Sequence, residues 1–164
     1  MENIDNTSTS ELVKKLAQKL IASGKTIATA ESCTGGNIAH NITLLAGSSQ
    51  YFLGGIVSYA NEVKMNVLGV NKENLEKYGA VSQSVVEAMA TGVCKTIGSD
   101  YSVATSGIAG PGGGSEEKPV GTVWMAVSDG KNSISKKWNF EGSREEIIEK
   151  ATKTAIFMLL EIVC

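Results

Sequence analysis

Thr26-Ile27-Ala28-Thr29-Ala30-Glu31-Ser32-Cys33-Thr34-Gly35-Gly36 is the stretch on which the fold turns. Its apolar half, Ile27 to Ala30, reads as a buried strand. Ile38, Ala39, Ile42, Leu45 and Ala46 then recur at helical spacing to about Ala46. A hydroxyl at such a strand-to-helix junction lies beside helix N–H groups that have no intrahelical partner and favour an anion or a developing oxyanion. Gly35 and Gly36 let backbone or ligand come close. Taken alone, the junction favours a plainer reading, in which Ser32 or Thr34 caps the helix. The rest of the chain decides between the two.

Upstream, Ser8-x-x-Glu11 is a capping-box pattern, and Leu12, Val13, Leu16, Ala17, Leu20 and Ile21 follow at helical spacing until Gly24. Residues 1–10 read as a polar, frayed lead-in. Downstream, Tyr51 to Tyr59 is a second strand, with Gly54-Gly55 as a bulge or close approach. Short helical pieces cover Glu62 to Leu68 and Lys72 to Tyr78. Ser82 or Ser84 caps a long helix with Val85, Val86, Met89, Ala90, Val93, Cys94 and Ile97 as its stripe, and Tyr101 to Ser106 is a third strand. Val120 to Ser128 and Asn132 to Phe140 pair as a hairpin across Asp129-Gly130, a two-residue-turn signal. Ser143-x-x-Glu146 caps the last helix. Helices alternating with strands, then a late hairpin, predict a mixed, mostly parallel sheet with helices on both faces.

The bulk numbers narrow the function. A chain of 164 residues suits one domain with a real core. A formal net charge of −2 offers no basic surplus for a nucleic-acid backbone. No apolar run is long enough to span a bilayer, and the polar start is not a signal peptide, so a soluble cytoplasmic protein is expected. Three cysteines, Cys33, Cys94 and Cys164, are an odd number suited to a reducing compartment. His40 is the only histidine, which confines any Ser-His mechanism to one residue of a helical pattern and excludes His-rich zinc sites within the chain.

Dinucleotide and phosphate-loop fingerprints are absent, as is a Gly-x-Ser-x-Gly elbow. Ser-x-x-Lys occurs at Ser115 to Lys118 and Ser133 to Lys136, the first in a polar loop and the second in a predicted strand, so neither has helical context. Ser58-Tyr59-Ala60-Asn61-Glu62-Val63-Lys64 follows the second strand as Ser32 follows the first. If these strands are parallel neighbours, both junctions open on one sheet edge, where ligands of open α/β sheets bind. Gly107-Ile108-Ala109-Gly110-Pro111-Gly112-Gly113-Gly114 follows the third strand and reaches the same edge. Such a loop is a flexible connector or an anion-binding nest, and Pro111 and Pro119 stiffen it toward the nest. Lys64 is either a solvated surface lysine or, with a lowered pKa, a base for Ser32. Arg144 stands in a first helical turn against the helix dipole, a placement that suits a ligand or an ion pair better than helix stability.

At this point the residues resemble a known family. Ala30 to Gly36, Gly54-Gly55-Ile56-Val57-Ser58-Tyr59, Asn61-Glu62-Val63-Lys64, Gly79-Ala80-Val81-Ser82 and Gly107 to Gly114, on through Lys118-Pro119-Val120-Gly121-Thr122-Val123, are similar to the CinA C-terminal domain family. The resemblance covers nearly the whole chain after the lead-in. It implies a three-layer α/β/α fold with a mixed five-stranded sheet. It also implies hydrolysis of the carboxamide of nicotinamide mononucleotide to nicotinate mononucleotide and ammonia, in pyridine-nucleotide recycling, with no metal or redox cofactor. By the same resemblance Ser32 is the nucleophile, Lys64 its base and Tyr59 an assistant. The substrate-binding set is Thr34, Gly35, Gly36, Thr105, Ser106, Gly107, Gly110, Gly112, Gly113 and Arg144. Ser106 stands where many relatives have threonine, and the hydroxyl is kept. Cys33 is the rival nucleophile, near a helix N-terminus. The alternative function is a catalytically silent module that binds a nucleotide or a protein. Apolar residues on more than one side of the last helix, Ala155 to Leu160 with Ile162 and Val163, point to a homodimer, as the resemblance also does.

Overall fold

The computed structural model describes residues 4–164. The expected lead-in over residues 1–10 falls partly outside them. Its described part holds a short 3-10 turn, Ile4–Asn6, and the Ser8 cap. Ser8 and Glu11 close the expected capping box on α1 (Thr9–Ser23), and Gly24 ends that helix in the left-handed region.

β1 (Ile27–Glu31) is buried along its whole length and leads through the 32–36 turn into α2 (Asn37–Thr43). β2 (Phe52–Val57) is followed by α3 (Asn61–Leu68), α4 (Lys72–Tyr78) and α5 (Gln83–Ile97). β3 (Tyr101–Gly107), β4 (Thr122–Ser128), β5 (Ser133–Asn139) and α6 (Arg144–Ile162) complete the order. One five-stranded sheet runs β2-β1-β3-β4-β5. β1 pairs in parallel with β2 and β3, and the β3–β4 and β4–β5 pairs are antiparallel, so β4 alone runs against the others. This is the mixed five-stranded α/β fold expected.

Strand alternation sorts side chains by size as well as by face. Ile27, Val103, Val123, Met125 and Val127 join α1, α2 and α6 in one core. Ala28, Ala30, Ala104 and Ala126 face the other way and join α5, Leu68 and Val70. Small residues on that face let α5 lie close to the sheet, and Ser102 uses the closeness to donate to the Ala90 carbonyl at 2.7 Å. Close approach also fixes one glycine. A Cβ on Gly92 would stand 1.9 Å from the Leu68 carbonyl oxygen, so α5 packs on the end of α3 only with glycine there.

Two sequence expectations are corrected. α2 is capped by neither Ser32 nor Thr34; its N-cap is Gly36, without a side-chain cap, and it ends at Thr43 rather than near Ala46. The β4–β5 turn is not the two-residue type. Ser128 pairs with Ser133, leaving a four-residue turn in which the Asp129 carboxylate accepts from the Lys131 and Asn132 amides. Much of the apolar surface of α6 is covered inside the chain by α1, α2 and the sheet, with Ile147, Ala151, Ala155, Ile156 and Leu159 at 0–1% exposure, while Ile148, Phe157, Met158 and Ile162 are half-buried. The fully buried residues of that helix need no second copy to cover them. No helix among the described residues is long and apolar enough to cross a membrane.

Candidate active site

Parallel pairing puts the carboxyl ends of β1, β2 and β3 on one edge, and three junctions open there. Backbone bonds carry the pairing past the strand ends: the Ser32 amide donates to the Thr105 carbonyl at 3.0 Å, and the Ser58 amide to the Glu31 carbonyl at 2.8 Å. The segments that carry Ser32 and Ser58 are thus tied to the central strands β3 and β1. A cleft of about 280 Å³ lies over this edge, lined by Ser32 and Cys33 after β1, Tyr59 after β2, the loop from Gly107 to Gly113 after β3, and Arg144.

Lys64, in the first turn of α3, does not line the cleft itself but reaches Ser32, which does. It is 1% exposed, among the largest fully buried side chains of the protein. Its Nζ lies 3.1 Å from Ser32 Oγ and donates to the Ser58 carbonyl and, at 3.5 Å, to the Tyr59 carbonyl. Among the described residues no carboxylate pairs with it. Burial therefore holds its pKa below the ordinary lysine value. The partners also sort the bonds that a neutral amine would make there. A neutral amine has two N–H bonds and one lone pair; carbonyls can only accept, so both N–H bonds go to Ser58 and Tyr59. The lone pair is left for the Ser32 hydroxyl.

Cys33 lines the same cleft but is 7% exposed. Burial, reinforced by the nearby Glu31 charge, pushes its thiol up to about 12, so it stays protonated and a poor nucleophile at neutral pH.

Tyr59 is 62% exposed, and its hydroxyl meets Arg144 Nη2 at 3.1 Å rather than Ser32 or Lys64. Arg144 Nη1 donates to the Gly110 carbonyl at 2.6 Å. One guanidinium thus joins the β2 junction to the glycine loop, and among the described residues it is the single cation lining the cleft. Gly107, Gly110, Gly112 and Gly113 line the cleft; Thr34, Gly35, Gly36, Thr105 and Ser106 do not. Thr34 and Thr105 are buried and share a 2.8 Å hydrogen bond beneath the turn. Ser106 Oγ donates to the Ala80 carbonyl, which fixes the segment before α5.

Sequence reasoning passed over Glu31. It is 1% exposed and accepts from Thr34 Oγ1 and the Ile38 amide at 2.8 Å and from the Ala39 amide at 3.0 Å. The α2 amides expected to favour an oxyanion are therefore occupied by a carboxylate of the chain itself. The available signal was an acidic residue closing an otherwise apolar strand, since a buried charge requires donors.

Known proteins resemble this chain over most of its length. The family model of the CinA C-terminal domain matches residues 9–163. The Escherichia coli K12 protein named nicotinamide-nucleotide amidohydrolase PncC is 48% identical over 147 residues, covering 89% of each chain. A CinA-like protein of Endomicrobium trichonymphae is 45% identical over 96% of this chain, which spans only 37% of that longer relative. The crystal structure of the competence damage-inducible protein A of Klebsiella pneumoniae superposes with a TM-score of 0.92 at 38% identity, covering 95% of this chain and 97% of the other. With the motifs, the sheet order and these matches in agreement, the chain belongs to the CinA C-terminal domain family.

Proposed function

We propose that the chain hydrolyses the carboxamide of nicotinamide mononucleotide to nicotinate mononucleotide and ammonia by a Ser-Lys mechanism, as a cytoplasmic step of pyridine-nucleotide recycling. The observation that carries the reading is Ser32 Oγ at 3.1 Å from the Nζ of a buried, unpaired Lys64. Its likeness to a nicotinamide-nucleotide amidohydrolase over 89% of both chains supports the substrate.

Neutral Lys64 takes the Ser32 proton as Oγ attacks the amide carbon. The ammonium then returns that proton to the leaving nitrogen, and ammonia departs from an acyl-Ser32. Lys64, neutral again, deprotonates a water that attacks the ester carbon, and Ser32 regains its proton as the carboxylate product leaves. The Ser32, Gly35 and Asn37 amides are spent on backbone carbonyls, whereas those of Cys33, Thr34 and Gly36 make no such bond among the described residues and are the turn's candidates to hold the oxyanion. Arg144 and the amides around Gly112 and Gly113 suit the phosphate, and the exposed Tyr59 ring suits a pyridinium.

Ammonia release from nicotinamide mononucleotide tests the reading. Wild-type protein releases ammonia and Ser32→Ala is slower by at least about 10³-fold. Equal release by the two proteins, or none by folded wild type, refutes it, and the second result is that of a silent binding module.

A further inference from the structure

Resting on the amidase reading, we propose that Glu31 is a positioning residue: its buried carboxylate ties α2 and the 32–36 turn to the end of β1, so that Ser32 Oγ rather than Cys33 Sγ is presented to Lys64.

The contacts form one closed frame. Glu31 Oε1 accepts from Thr34 Oγ1 and the Ile38 amide, both at 2.8 Å, and Oε2 from the Ala39 amide at 3.0 Å and Thr29 Oγ1 at 3.4 Å. Thr34 passes the constraint on to Thr105 at 2.8 Å, and the Thr105 carbonyl holds the Ser32 amide at 3.0 Å. The nucleophile is therefore bracketed on both sides by groups that lead back to one carboxylate. Within the turn, Gly35 donates to the Ser32 carbonyl, but no cap comes from Ser32 or Gly36. Without Glu31, the first amides of a seven-residue helix lose their acceptor, and the turn between strand and helix loses its anchor.

The same carboxylate bears on the rival nucleophile. Cys33 Sγ meets the Thr105 hydroxyl and stands close enough to Glu31 for that charge to help keep the thiol protonated. One buried group thus orients the serine and quiets the cysteine beside it. Glu31 touches no substrate and takes no proton. Its replacement should lower kcat with little change in KM, because the cleft lining is left in place.

Glu31→Gln is the test, since the amide keeps size but sets an NH₂ against one of the donors. The expected result is a kcat lower by about 10²-fold, the scale of a misplacement near 1 Å, with KM within about threefold. The pH at which activity rises should stay in place, and iodoacetamide should alkylate Cys33 about tenfold faster, read by peptide mapping. A kcat within about threefold of wild type overturns the proposal, whatever the alkylation rate. A folded wild type that releases no ammonia sinks the amidase reading instead, and the alkylation arm then decides: no acceleration in Glu31→Gln overturns the role of Glu31. Should that variant not fold, Thr34→Val removes one arm of the frame and carries the same kinetic and labelling readouts.

Discussion

Lys64 lies where its charge is costly: 1% exposed, without a carboxylate, and with carbonyls for two of its three polar partners. Its proton is held weakly, which suits a base. Activity should rise with pH through a pKa below the lysine range, as the kcat/KM profile will report. Lys64→Arg should lose about 10²–10⁴-fold, because guanidinium does not give up its proton near neutral pH. A variant retaining a tenth of wild-type activity would remove Lys64 from the base role. The sequence offered this residue only as one of two readings, since spacing cannot report burial. The resemblance ranks Cys33 behind Ser32, and its burial in the structure supports that order, whereas Glu31 goes unread because its donors come from residues two to eight positions away.

Among the elements, the position of Lys64 depends on how α3 is seated. The closest backbone approach that seats it is Gly92 of α5 against the Leu68 carbonyl at the end of α3. Gly92→Ala should push the two helices apart, lower stability by about 1–3 kcal/mol in denaturant melts, and reduce kcat through Lys64. Unchanged stability and kcat would mean that α3 is held by other contacts. Element positions were legible because β1, α1, α5 and α6 carry strong periodic or uniform apolar patterns. The failures lie where long-range partners decide. α2 is short and capped by Glu31 from the strand before it, and the β4–β5 turn follows the Asp129 carboxylate rather than the glycine after it. The bulge was placed well: the β1–β2 register slips at Leu53, beside Gly54, and a Cβ on Gly55 would stand 2.3 Å from Thr29 Oγ1.

Over the whole molecule, the buried lysine links the site to stability. Its folded pKa lies below the unfolded value near 10.5. Between the two values the unfolded chain holds a proton that the folded chain has lost, so stability rises with pH across that window and is lower beneath it. Lys64→Met should remove this contribution, making the stability gap between variant and wild type depend on pH between neutrality and pH 10. Denaturation curves that stay parallel over that range would show that Lys64 titrates normally. The α/β architecture was legible from the alternation of elements, and the sheet edge that gathers the three junctions followed from parallel pairing. Much of the apolar surface of α6 is used within the chain, because a helix set between α1, α2 and a sheet needs more than one buried side.

The claim at the centre is that Ser32, activated by Lys64, carries the acyl group. Hydroxylamine added during turnover of nicotinamide mononucleotide intercepts an acyl-enzyme and yields the hydroxamate of the nucleotide. Wild-type protein should form hydroxamate together with ammonia, and Ser32→Ala and Lys64→Arg should form neither at a comparable rate. Ammonia released at the full rate with no hydroxamate, or hydroxamate formed by Ser32→Ala, would contradict the account.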